Sequence, residues 1–230
     1  MKNILRKIKA VILNRRFKIV VVVLAIVGGA LWWYTNDSLS KFIAAYDSYE
    51  VLAGVQQNAA YVPGATNNPV RDQLNADLGQ VLGDKTPAKE RLARAAEGLE
   101  LLKQLNTQVD AINTTGEPVA GAIAAFEAEA RNPGNILHRS VMADLVSNAK
   151  VQMATIQTIR GLSYKANFET IQIFNRIIAE KGQLTDKYKI ELNNDIPAVE
   201  EEFNNRQNAY ADLEKNINVM QNAFDSLGTH

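Results

Sequence analysis

The chain has 230 residues, 25 Lys and Arg against 25 Asp and Glu, 47% hydrophobic residues but only 7% aromatics, and no cysteine. The missing thiols exclude a disulfide framework, thiolate metal sites and thiol redox chemistry. Abundant Ala, Leu, Ile, Asn, Gln and Glu favour helix over strand, so an all-α fold is expected.

The zero formal charge hides a division along the chain. Seven basic residues and no acid precede residue 19, leaving 18 basic and 25 acidic residues beyond it. Residues 1–18 therefore read as a basic cytoplasmic tail. Its Ile4, Leu5, Ile8, Val11 and Ile12 recur at helical spacing, which also suits a helix lying on an anionic leaflet. The acidic remainder makes nucleic acid an unexpected partner.

Residues 19–34 carry no charge. As a helix they extend about 24 Å at about 1.5 Å per residue, short of a bilayer core of about 30 Å. Lys18 can snorkel at one end, and Trp32, Trp33 and Tyr34 suit the interface at the other, so the segment reads as a retained anchor. Ile19, Val23, Leu24, Ile26 and Leu31 supply its apolar body. The basic flank before the span places the N-terminus inside and residues 35–230 in the periplasm or extracellular space, with the lipid bilayer of the cytoplasmic membrane as a partner. The competing reading is a signal peptide cut after Gly28-Gly29-Ala30, which would release a secreted helical protein.

Beyond the span, proline and glycine punctuate a series of apolar periods. Leu39, Phe42, Tyr46, Tyr49 and Ala53 continue at three- and four-residue steps, predicting a helix over 36–60 that leaves the membrane without a break. A loop around Pro63 and Pro69 precedes helices over 70–82 and 87–113, the second capped at Thr86-Pro87 and carrying a stripe of Leu92, Ala95, Leu99, Leu102, Val109 and Ile112. An alanine-rich helix covers 118–131. After Asn132-Pro133-Gly134-Asn135 comes the longest periodic segment, 136–193, which Gly161 or Lys181-Gly182 could bend or end. A turn at Asn193-Asn194-Asp195 and a capped start at Pro197, with Glu200, Glu201 and Glu202 near the positive end of the helix dipole, predict the last helix over 196–227.

That last helix carries the clearest pattern. Ile196, Val199, Phe203, Arg206, Tyr210, Leu213, Ile217, Met220, Phe224 and Leu227 alternate by three and four, the period of a coiled-coil seam. Packed on the preceding helix they would form an antiparallel hairpin; packed on another chain they would form an assembly surface. Arg206 is the only charged member. It could fix register, or it could snorkel its guanidinium to water, the reading preferred here. The expected fold is therefore all-α, a single N-terminal transmembrane helix followed by an elongated antiparallel helical bundle with a coiled-coil hairpin.

Catalytic constellations are not evident. His138 and His230 are the only histidines, no metal-ligand spacing and no phosphate-binding glycine loop occurs, and no cofactor is expected. The expected function is a non-enzymatic structural or interaction subunit of a cell-envelope or membrane complex, meeting another protein or a second copy through its helical surfaces. A second reading is a sensory ectodomain acting through a membrane partner, which resembles the four-helix ligand-binding bundles of chemoreceptors in architecture only. The outline of an anchor followed by long helices is also similar to the LemA family of bacterial proteins. The Arg-Arg and Asp-Leu-Ile-Pro pattern expected after the anchor there is absent, and no family is assigned.

Overall fold

A computed structural model describes residues 2–62 and 68–228, with side chains over 18–62, 68–192 and 194–227. Six α-helices account for nearly all of it, and no strand occurs among the described residues: α1 (Lys2–Tyr61), α2 (Pro69–Leu82), α3 (Ala88–Thr114), α4 (Gly116–Ala130), α5 (Arg139–Ala179) and α6 (Asp186–Gly228), with a 3-10 turn at Pro133–Asn135 before α5. The expected helices over 70–82, 87–113 and 118–131 match α2, α3 and α4 to within two residues at each end. Asn68 caps α2, its side chain accepting from the backbone of Val70 and Arg71. The cap expected from Thr86 is not made, because Pro87 occupies the N-cap of α3 without a side-chain bond.

The apolar segment runs into the first outer helix without a break, as its spacing predicts, and the tail continues the same helix, 60 residues in all and about 90 Å long. Whether residues 1–18 present an interfacial face depends on side chains outside the described residues. One boundary differs from expectation. The expected helix over 136–193 stops at Ala179 instead, and residues 193–195 lie inside α6. Lys181 and Gly182 both adopt positive φ, 51° and 75°, and the Gly182 N–H bonds back to the Ile177 carbonyl at 2.9 Å. This left-handed closure ends a helix by satisfying its last carbonyls. Thr185 then restarts the chain, its hydroxyl accepting from the Tyr188 N–H.

Pro197 is thereby held inside a helix, at a cost of about 3 kcal/mol. Tyr188, Leu192, Ile196 and Val199 bracket it and pack with Ile173, Phe174 and Ile177, anchoring α6 on both sides of the proline. The acidic run is consequently mid-helix. Glu200 and Glu201 are exposed, but Glu202 is only 5% exposed and pairs with Lys165, so it is not the solvated capping residue expected.

Residue pairs give the direction of each neighbour. Along α5 and α6, Tyr188 meets Ile173, Lys165 meets Glu202 and Asn148 meets Asn216, so one number falls as the other rises. The pairs Arg91–Gly182, Asn106–Asn167 and Asp110–Tyr164 set α3 opposite in direction to α5, and Asp77–Arg94 with Asn68–Gln108 set α2 opposite to α3. Contacts of Ser38 with Asn135 and Tyr49 with Gln152 run α1 parallel to α5. Three apolar clusters succeed one another along α5. The first joins Phe42, Tyr46 and Tyr49 of α1 to Phe126, Met142, Leu145 and Met220. A middle cluster joins Ala60, Val109, Ile112, Ile156, Ile159 and Leu213. The last joins Leu74, Leu102, Ile173, Phe174, Ile177 and Tyr188.

Two close approaches hold the end farthest from the apolar segment. Gly98 lies under Phe174, where an added Cβ would come within 2.4 Å of the ring. Buried Arg91 donates to the carbonyls of Val81, Gly182 and Gly83 at 2.8, 2.8 and 2.7 Å, tying α2 and the α5–α6 turn to α3. Gly98→Ala is expected to cost about 1–3 kcal/mol by overpacking, part of it recovered by adding Phe174→Leu. Arg91→Met is expected to cost at least about 2 kcal/mol, because the carbonyls of Val81 and Gly182 lose a buried side-chain donor. Urea unfolding of the four proteins checks both; wild-type midpoints for the single variants would contradict the packing described.

Candidate functional site: the apolar N-terminal segment and the α6 seam

Among the described residues, one helix is long and apolar enough to cross a membrane, near the N-terminus within Lys18–Tyr61. Its outward character follows from exposure. Ile19, Val23, Leu24, Ile26 and Leu31 are 50–65% exposed, Trp32 and Trp33 are 69% and 65% exposed, and Tyr34 is 42% exposed. Among the described residues, no other part of the chain covers this surface. Four residues later Ser38 is buried, followed at helical spacing by Phe42, Tyr46, Tyr49 and Ala53. One helix therefore changes from fully uncovered to packed within about one turn.

A polar knot marks that change. The Asn132 carboxamide oxygen accepts from the Gly134 N–H at 3.0 Å, the Tyr34 hydroxyl at 3.2 Å and the Ser38 hydroxyl at 3.4 Å. Asn135 donates to the carbonyls of Glu129 and Ser38 at 2.8 and 3.3 Å. Gly134 is required here, since a Cβ would lie 2.1 Å from the Ser38 oxygen. The knot sets the α4–α5 turn directly beside the end of the apolar segment, and the next two residues, Ile136 and Leu137, are 65% and 79% exposed.

The seam residues face inward along α6. Arg206, Tyr210, Leu213, Met220 and Leu227 are buried, Ile196, Val199, Ile217 and Phe224 are half-buried, and Phe203 sits at the edge. Their neighbours belong to the same chain: Leu213 packs with Ile156 and Ile159, Phe224 stacks on Tyr46 at 4.3 Å, and the Tyr210 hydroxyl donates to the Ala60 carbonyl at 2.9 Å. Arg206 departs from the snorkelling expectation. It is 6% exposed, and its guanidinium lies over the Phe203 ring, 5.4 Å from the centroid. Burial lowers its pKa. The heptad pattern could not distinguish this from a guanidinium in water, because both place the stem in the seam.

Other buried polar groups were not legible in the pattern. Arg91, Asn167, Glu202 and Asn216 occupy apolar-facing positions, where the spacing of the apolar residues does not single them out. Tyr49 is a core residue whose hydroxyl donates to Gln152. His138 is half-exposed at the N-cap of α5, and among the described residues no group of three or more His, Asp and Glu side chains is placed to hold a metal.

Tyr46 couples the first cluster to pH. Burial, then the nearby Glu50, Asp225 and Asp47 carboxylates, push its phenol up to about 12 from 10.0. An acid whose pKa is raised by folding stabilises the fold fully below its unfolded pKa and loses that contribution as pH climbs through the folded value. Wild type is therefore expected to lose stability between about pH 10 and 12 more steeply than Tyr46→Phe, a difference read from urea midpoints at each pH. Parallel curves would remove Tyr46 from the alkaline transition. Comparison with protein-family models, with curated proteins and with solved structures found no match.

Proposed function

We propose that this chain is a non-enzymatic, membrane-tethered subunit of a cell-envelope or membrane complex. Residues 19–34 cross the cytoplasmic membrane with the N-terminus inside, and residues 35–230 form an elongated antiparallel helical bundle outside, with α5 and α6 as its coiled-coil hairpin. The observation that carries this reading is the uninterrupted α1: sixteen uncharged residues lie uncovered, and the same helix enters the core at Phe42. Leaving such a surface in water is unfavourable by about 25 cal/mol per Å², so it calls for an apolar surrounding. The exposed Ile136 and Leu137, held level with Tyr34 by the Asn132 knot, support the same placement of the interface.

In this reading the work of the molecule is positioning. The span fixes the base, the stacked clusters set the reach, and the outer faces of the helices meet a protein partner or a second copy. The alternative of a ligand-binding ectodomain acting through a membrane partner draws on the four helices that meet at each of the first and last clusters. A secreted protein cut after Ala30 would lack the anchor.

Absence of native cysteine makes the test direct. A single Asn222→Cys substitution at an exposed position is expected to react with a membrane-impermeant maleimide in intact cells, while the chain stays in the pellet after alkaline carbonate extraction. Labelling only after permeabilisation would reverse the orientation. Extraction into the supernatant with a mature N-terminus at Leu31 would replace the anchored reading with the secreted one.

A further inference from the structure

Arg206 poses an electrostatic problem. As a residue it is 6% exposed, its buried Nε has no hydrogen-bond partner, and no carboxylate among the described residues lies within ion-pair distance of it. A buried charge without a counter-charge is strongly unfavourable, more than contact with one aromatic face offsets. The acid one turn earlier, Glu202, is engaged by Lys165. The tyrosine one turn later, Tyr210, donates its hydroxyl to Ala60.

A second cation lies beside it. Arg71 of α2 also lies over the Phe203 ring, 4.9 Å from its centroid, and its charge lowers the pKa of Arg206 further, after burial. Both arginines line a cleft of about 190 Å³ whose walls come from α2, α3, α5 and α6. Asn75, Asn167 and Thr170 supply polar groups to its wall, Leu74 and Leu105 supply apolar ones, and no acidic residue is among its lining. Asn167 holds Asn106 at 2.7 Å and Thr170 bonds its own helix, so the polar wall is fixed before any ligand enters.

We propose that this cleft binds a small organic or inorganic oxyanion, a carboxylate or a phosphate, with Arg206 at its floor and Arg71 at its mouth. Planar guanidinium groups match both anions with paired, charge-assisted N–H bonds, and the burial of Arg206 strengthens the attraction relative to a pair in open water. The volume admits a molecule of a few heavy atoms, equivalent to about six waters. The inference does not depend on residues 19–34 crossing a bilayer, since α1 contributes nothing to the cleft lining.

The test uses the full-length chain in mild detergent, titrated with succinate, with inorganic phosphate and with chloride at equal ionic strength, followed by calorimetry and thermal unfolding. One saturable site for succinate, phosphate or both, absent with chloride, is the expected result; succinate alone identifies a carboxylate ligand and phosphate alone a phosphate ligand. Arg206→Met keeps the stem volume, removes the charge and is expected to abolish binding while unfolding no earlier than wild type in chloride. Arg71→Gln, at a half-exposed position, is expected to weaken binding about tenfold and serves as the readout if Arg206→Met does not fold. No saturable binding of either anion, an equal response to chloride, or unchanged affinity in the variants would overturn the proposal.

Discussion

Pairing of α5 with α6 is the constraint on which the other helices depend. Two helices of 41 and 43 residues, each about 60 Å long, stay in register only if each keeps an inward stripe over that whole distance. The stripe of α5 runs from Met142 through Leu145, Ala149, Ile156, Ile159 and Ile173 to Ile177, and that of α6 from Tyr188 to Leu227. The other helices then fill the two remaining sides in succession, α1 and α4 beside the first cluster, α2 and α3 beside the last. Loss of register between the long pair would misalign all three clusters together.

Polar residues sharpen what the apolar stripes leave loose. Apolar contact is non-directional, so neighbouring registers differ little in buried area. The contacts of Asn148 with Asn216, Lys165 with Glu202 and Arg176 with Asp195 each form in one alignment only. At the two ends, Arg91 and the Asn132–Asn135 knot pin turns to neighbouring helices through backbone carbonyls. The chain thus combines a long, repetitive core with a few directional contacts spaced along it.

Helix class, the uncovered apolar segment and the inward face of α6 were legible because each rests on periodicity, which any sequence carries openly. The choice of the final turn was not, although Lys181-Gly182 is among the places where the long helix could end. Asn193, Asn194, Asp195 and Pro197 together form a stronger local turn signal than Lys181-Gly182 followed by Thr185-Asp186, yet apolar residues on both sides of Pro197 find partners on α5 and the tertiary gain outweighs the local preference. The burial of Arg206 was equally hidden. A heptad position says that the side chain starts toward the core, whereas its final depth depends on α2 arriving alongside through Arg71 and Leu74, a contact separated in sequence by more than a hundred residues.

The absence of a break in α1 has a mechanical consequence. Between Tyr34 and Phe42 there is no loop or hinge to absorb bending, so the packed region follows the orientation of residues 19–34 as a crank follows its shaft. On the membrane-tethered reading, a tilt of about 20° in the bilayer would swing the Gly182 turn, about 60 Å away, sideways by about 20 Å. Lipid thickness at the base would in this way set the radius of the circle that the far tip can sweep.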